Sequence, residues 1–319
     1  MKRAKERIVV TGGAGFIGSR LANYLQEKGH EVLAVDNLAG GNRLNLNRGV
    51  ELVPCDIRSK ALEKIYRDFC PTRIFHFAAQ YANELSLQKP REDLDINAGG
   101  TLAQLLLAEK TKPKRFVFAS SSCVYEPCRQ KLTESNPLNP HTPYGLSKYT
   151  AEKYCRLFSE IKGIPYTILR YFNIFGPPEL LSENRGVIAR FIRAALEDKP
   201  LVITGTGKEG RDFTYIEDAV RATVSAGFSP GGEGEEFNIG TGELTTIEEL
   251  IETFRIIIPK KFRVEYRQKR HWDKTDLRCA DIKKAKKILG YDPRINLQNG
   301  LKKTWEWYLN RYLFQSERR

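Results

Sequence analysis

At 319 residues the chain is long enough for one large α/β domain or two interleaved lobes. With 41% hydrophobic and 29% charged residues it reads as an ordinary globular protein, and no run approaches the roughly 20 apolar residues that a membrane-spanning helix needs. The net charge of +13 comes from basic residues spread along the chain, with small concentrations at both ends and over 283–287, so a solvated surface that attracts an anionic small molecule is expected, not a nucleic-acid footprint.

The charged start, residues 1–7, runs into an apolar segment too short and too glycine-bounded for a signal peptide, and a cytoplasmic location is expected. The first half then alternates short β-branched or aromatic runs with amphipathic stretches, the pattern of a parallel sheet covered by helices. Strands are expected at 8–11, 31–36, 51–54, 73–78, 115–120 and 166–171. Ile17, Leu21 and Leu25 recur every four residues and predict a helix over 17–28 with one face on the sheet. Helices over 101–108 and 144–158 read the same way. Beyond Gly176-Pro177-Pro178 the order is less regular: a helix over 187–197, a strand at 201–204, helices over 246–255 and 282–289, and a strand-like run at 236–239 that can return to the main sheet. Nothing reads as an internal repeat or linker. The six cysteines, at 55, 70, 123, 128, 155 and 279, form no CxxC pair, so neither a disulfide framework nor a metal site is expected.

Directly after the first strand comes Thr11-Gly12-Gly13-Ala14-Gly15-Phe16-Ile17-Gly18, which opens the first helix. Glycines are needed there because the turn is tight, the backbone must approach a pyrophosphate and the helix must pack on its strand. Asp36 ends the second strand, eighteen residues after Gly18, where a carboxylate accepts hydrogen bonds from an adenosine ribose and repels a 2′-phosphate. Asn37-Leu38 adds no arginine cluster to offset that repulsion, so NAD is favoured over NADP. Asp56-Ile57, after the third strand, is placed either to meet the adenine or to cap its strand.

Tyr144 and Lys148 stand four apart in an expected helix and so share a face. A tyrosine hydroxyl, with an ordinary pKa near 10, is a poor base at neutral pH. An adjacent ammonium and a positive nicotinamide ring are expected to lower it toward the working range. The serine run Ser120-Ser121-Ser122 closes the preceding strand.

These segments resemble the extended short-chain dehydrogenase/reductases, in the branch of NAD-dependent nucleotide-sugar epimerases and dehydratases related to UDP-glucose 4-epimerase. The likeness spans nearly the whole chain: 11–18, Asp36-Asn37-Leu38, 76–80, 120–125, 144–148, 171–176, 211–218 and 238–242. It implies a Rossmann-type doubly wound parallel sheet, with residues 1–175 as the NAD-binding domain, segments near 212–240 returning to it, and 176–319 as mainly a smaller, interwoven substrate-binding lobe. It implies NAD contacts from Gly12, Gly15, Phe16, Ile17, Gly18, Asp36, Asn37, Asp56, Ile57, Ala78, Ala79, Gln80 and Asn97. Tyr144 and Lys148 are implied to serve both the cofactor and catalysis, and Ser121 to hydrogen-bond the sugar's 4-oxygen. Substrate contacts are implied for Ser122, Asn173 and Val187, and for Arg211 and Arg270 at the diphosphate, where guanidinium forks suit paired phosphate oxygens. Arg270-His271-Trp272-Asp273 departs from the family's usual Arg-Pro-Gly-Asp. The implied partner is a nucleotide-diphosphate sugar, UDP-linked, bound to a homodimer with no nucleic acid and no membrane.

Within the family, 4,6-dehydratases carry an Asp-Glu pair where this chain has Ser122-Cys123, and decarboxylases carry a glutamate at the place of Cys123. Both readings are therefore disfavoured. A cysteine there is the base in 3,5-epimerases, but the acid those enzymes add aligns with Gly186, which donates no side-chain proton. Cys123 is read as a packed thiol, with the base as its alternative. A 4-epimerase needs no further group, and that reading fits; a 3,5- or 5-epimerase and a non-catalytic NAD-binding protein are the alternatives. Arg278 and Arg185 are expected to bound the sugar pocket, where either favours an acidic sugar such as a uronic acid.

Overall fold

The computed structural model describes residues 5–316, with side chains to Tyr312, so residues 1–4 and 317–319, part of the basic concentrations at the two ends, lie outside the described part. Seven parallel strands form the main sheet. In chain order these are β1 (Arg7–Thr11), β2 (Glu31–Asp36), β3 (Glu51–Pro54), β4 (Arg73–His76), β5 (Arg115–Ser121), β6 (Tyr166–Tyr171) and the edge strand Glu235–Ile239, in the spatial order 235–239, β6, β5, β4, β1, β2, β3. This is the doubly wound α/β sheet expected. Its chain order reverses beside β1, which lies between β2 and β4, and the crevice outside the strand ends at that point is where such sheets bind ligands.

Strand side chains alternate between two cores, as a period of two requires. Ile8 and Val10 of β1 pack with Leu21 and Leu25 of helix α1 (Phe16–Glu27), while Val9 packs with Leu62, Tyr66 and Leu105 of α2 (Ala61–Phe69) and α5 (Gly100–Thr111) on the other face. Two short helices, α3 (Asn83–Gln88) and α4 (Pro90–Leu94), precede α5. The long α6 (Pro143–Lys162) has sequence reasons for both ends. Thr142 caps it through the Gly145 amide at 3.2 Å, Pro143 occupies its first turn, and Gly163 ends it at φ 66°.

The expected strand at 73–78 stops at His76: Ala78 turns beneath the glycine loop with its amide on the Thr11 hydroxyl at 3.4 Å, and the Gln80 backbone is held by the side chain of Asn97. Beyond β6 come Asn173–Phe175, α7 (Val187–Leu196), Leu201–Thr204, Gly210–Arg211 and Phe213–Tyr215, and then α8 (Ile216–Phe228). Gly210–Arg211 pairs with Thr245–Thr246 on one side and Leu277–Arg278 on the other, which brings Arg211 beside Arg278. Among the described residues no helix is long and apolar enough to cross a membrane.

Candidate active site

The loop from β1 into α1 is built for close approach. Gly12 adopts φ +66°, and a Cβ there would lie 2.7 Å from the Ala78 amide nitrogen; one on Gly18 would lie 2.1 Å from the Gly12 carbonyl oxygen. Gly15 caps α1 without a side-chain hydrogen bond, so the first-turn amides of Phe16 and Ile17 are left for an anion. Asp36 is buried at the end of β2, its carboxylate accepting from the Ala14 amide at 3.0 Å and the Leu38 amide at 2.8 Å. Arg43, the nearest arginine in sequence, turns its guanidinium to the Leu46 and Asn47 carbonyls, and Asp36 makes no ion pair among the described residues, so its carboxylate stands as a barrier to a 2′-phosphate. Such a cradle fits NAD.

The other residues assigned to the cofactor are placed more variously. Asp56 is gripped by Arg58 through two 2.8 Å bonds, which hold its carboxyl down at about 2, so its oxygens serve the strand end. Ile57 is buried against Gly100, and Asn37 bonds the Ala39 amide. Asn97 is buried too. Its amide is spent on Gln80, Asp93 and Ser147, and so it positions the loop of Ala78, Ala79 and Gln80.

Beside this cradle opens a cleft of about 440 Å³, lined by Ser121, Ser122, Cys123, Tyr144, Lys148, Asn173, Val187, Arg211, Arg270 and Arg278 among others. Tyr144 and Ser121 face each other across this cleft, and the Ser121 Oγ accepts from the Cys123 amide at 3.2 Å. Lys148 is buried one turn further along α6, its ammonium 4.3 Å from the Phe118 ring centroid. The electrostatics differ from the expectation that Lys148 lowers the tyrosine. Burial is the largest influence on Tyr144 and pushes its hydroxyl above the ordinary value, Cys123 and Asp93 add to this, and the neighbouring Ser121 hydroxyl and Arg278 oppose it. Burial also pushes Lys148 down to about 8. The protein's own groups therefore do not ionise the tyrosine, because the helix that places the pair also removes both from water.

Cys123 is more than packing. Its sulfur faces the cleft 3.1 Å from Arg278 Nη1 and 3.7 Å from Asn83 Nδ2. Burial pushes the thiol up, but the Arg278 charge and the hydrogen bonds from Ser121, Asn83 and Arg278 together hold it below its ordinary value.

Arg211 is tied by Nη1 to the Gly210 and Asp276 carbonyls and by Nη2 to the Thr275 carbonyl and, at 3.4 Å, to Asp273. Arg270 pairs with Glu84 at 2.7 Å. Arg190, which sequence reasoning missed, lines the same cleft with its Nε buried and without a hydrogen-bond partner; its only signal was its place one turn into the α7 repeat after Val187. Arg185 stacks 3.6 Å over Tyr81.

One carboxylate assembles the far wall. Asp212 accepts from the amides of Thr241, Gly242 and Ala280 at 2.8, 2.9 and 3.2 Å, and its own carbonyl accepts from the Asn173 amide at 3.0 Å. Beneath the near wall, Arg170 of β6 grips Glu152 of α6 through bonds of 3.0 and 2.8 Å, and Ser120 donates to the same carboxylate at 2.6 Å.

A family model described as the NAD dependent epimerase/dehydratase family matches residues 8–240. A UDP-glucuronate 4-epimerase of Thermodesulfobacterium geofontis is 34% identical over 317 residues, covering 94% of this chain and 95% of the relative. A UDP-N-acetyl-alpha-D-glucosaminuronate decarboxylase of Bacillus cytotoxicus is 32% identical over 319 residues, 95% of this chain and 98% of the relative. The solved structure of a UDP-glucose 4-epimerase with UDP-glucose from Thermotoga maritima matches with a TM-score of 0.92 at 35% identity, covering 95% of this chain and 99% of that one.

Proposed function

The chain belongs to the NAD dependent epimerase/dehydratase family, with NAD as its cofactor, and from that premise we propose that it inverts C4 of a nucleotide-diphosphate sugar through a 4-keto sugar. When bound, NAD supplies the reversible two-electron acceptor for the hydrogen on C4. The chain's own residues do the rest. Tyr144 takes the proton of the 4-hydroxyl and later returns it, with Ser121, on the same cleft, donating to that oxygen. Lys148 lines the same cleft one helical turn away. Arg211 and Arg270 hold the diphosphate while the keto sugar turns over in the cleft, and Arg190 adds a third guanidinium.

What carries this reading is the convergence of Ser121, Tyr144 and Lys148 on one cleft where Ser122 and Cys123 stand in place of the carboxylates that elimination or decarboxylation requires. The relatives act on UDP-linked sugars, and UDP is the favoured carrier. Arg278 favours an acidic sugar in particular, because its guanidinium faces the cleft bonded to Thr275 Oγ1 and Cys123 and makes no ion pair among the described residues. The exposed Leu106, Leu146, Leu157 and Ile161 of α5 and α6 suit a homodimer, which light scattering in solution tests.

The deciding experiment incubates the NAD-loaded protein with UDP-glucose, UDP-N-acetylglucosamine and UDP-glucuronate and reads the products by mass spectrometry and proton NMR. A product of unchanged mass with C4 inverted is expected, fastest from UDP-glucuronate. A product lighter by water or carbon dioxide overturns the reaction, and equal turnover of all three overturns the role of Arg278.

A further inference from the structure

Arg185 stands apart from the other cations of the cleft. It belongs to the segment before α7, in the substrate-binding half, yet it touches the dinucleotide half. Its guanidinium carbon lies 3.6 Å from the Tyr81 ring centroid, and its Nη2 lies 4.0 Å from the point that a Cβ on Gly40 would occupy.

Those two contacts lie on opposite sides of the nucleotide crevice. Gly40 belongs to the loop after β2, next to Gly41, whose Cβ would lie 2.8 Å from Asp36 Oδ1; that loop also leans on the glycine turn, since the Asn42 amide donates to the Ala14 carbonyl at 2.9 Å. Tyr81 continues from Gln80 in the loop after β4. Because β1 lies between β2 and β4, a group touching both loops passes over the end of β1 and the start of α1. The uncapped amides there are what the fold offers to a dinucleotide's diphosphate.

The charge balance points the same way. The start of α1 offers about half a positive charge against the two negative charges of a diphosphate, and Arg43 is spent on backbone carbonyls. The Arg185 side chain makes no ion pair and no hydrogen bond among the described residues, and its Nε is buried without a partner; the one carboxyl its charge is seen to act on, Glu179, is pushed up by burial toward its neutral form. An aromatic face on one side of the guanidinium leaves its donor edge directed elsewhere.

We propose that Arg185 is a clasp: stacked on Tyr81, it closes over the diphosphate of bound NAD from the substrate-binding half and keeps the dinucleotide from leaving between turnovers. It is a positioning residue, and the proposal rests on NAD as cofactor but not on which sugar is used or which carbon is inverted. A reaction that regenerates its cofactor gains from such retention.

The test compares wild type with Arg185→Ala, Arg185→Lys and Tyr81→Ala, each loaded with NAD. NAD per chain is measured after gel filtration, its release rate is followed with an NAD-hydrolysing enzyme as trap, and UDP affinity of the loaded protein is measured by calorimetry. Arg185→Ala should release NAD about tenfold faster or more, the scale of a lost charge-assisted hydrogen bond, with UDP affinity unchanged. Arg185→Lys, keeping the charge without the planar stack, should fall between, and Tyr81→Ala should also quicken release. Unchanged NAD release in Arg185→Ala overturns the clasp, and a selective loss of UDP affinity in that variant assigns Arg185 to the sugar nucleotide instead.

Discussion

The sulfur of Cys123 lies 3.1 Å from Nη1 of Arg278, two residues beyond Ser121. A thiol so placed can become a thiolate within reach of the sugar, which is the requirement for a base acting on the carbon beside a ketone. The 4-epimerase reading makes no use of it. Cys123→Ala should therefore keep turnover within a few-fold of wild type, whereas a lost general base costs about 10²-fold or more. Product formed in deuterated water should carry no deuterium at C3 or C5, and label at either carbon would replace 4-epimerisation by the 3,5- or 5-epimerase alternative.

Tyr144→Phe keeps the ring and its packing while deleting the proton carrier. Turnover should fall by about 10²-fold or more, the usual scale for an acid/base group. Folding and NAD content should be unchanged. Wild-type turnover in this variant, on the substrate identified by the screen, would sink the mechanism.

Lys148 ties catalysis to pH. Burial lowers it from 10.5 to about 8, so the folded protein gives up this proton before the unfolded chain does. A lysine lowered in this way costs stability below about pH 8, where it must be buried charged. Between about 8 and 10.5 the unfolded state binds more protons, and this cost is relieved as pH rises. Lys148→Met should melt higher than wild type at pH 7, with the gap closing toward pH 10. If the Lys148 charge reaches the Tyr144 phenolate only once NAD is bound, the rate of the NAD-loaded variant should need higher pH than the wild type. An unshifted pH profile would remove Lys148 from the activation of Tyr144.

Glu152→Gln leaves the Arg170 guanidinium buried without its counter-charge. Breaking one side of a buried pair costs about 3–5 kcal/mol, which urea unfolding would register. The same variant tests the placement of α6. A loss smaller than about 1 kcal/mol would show that the pair carries little of the packing between α6 and β6.

What could be read from the chain in advance was what lies close together along it. The glycine turn, Asp36, the body of α6, and the pairing of Tyr144 with Lys148 all depend on spacings of a few residues or on one strand–turn–helix unit, and hydrophobic periodicity located the sheet that carries them. The helix α8 escaped because its buried face is made largely of small residues, Ala219, Ala222, Thr223 and Ala226, which give little contrast. The contact of Cys123 with Arg278 spans 155 positions, and no local pattern announces it. The same holds for Arg185 on Tyr81 and for the unpartnered Arg190. The ionisation of Tyr144 was misjudged for a related reason: spacing gives the neighbour's charge, while the depth of burial that outweighs it depends on the whole fold.

Asp212 gives the far wall an unusual economy. A single carboxylate, with its own backbone carbonyl, fixes the 241–242 turn, the chain at Ala280 and the start of the Asn173 strand, and its neighbours in sequence and register are Arg211 and Arg278. The frame is thus made of backbone amides and one acid; the Asn173 side chain leans on it, donating to the Asp212 carbonyl at 3.3 Å, whereas the Arg278 guanidinium bonds only Thr275 Oγ1 and Cys123. At Arg278 the group that faces the cleft and the bonds that hold the backbone are uncoupled. Substrate preference can then drift through exchanges at 123 and 278 while the backbone that presents them stays still, so a lineage can try new sugars without first rebuilding the enzyme.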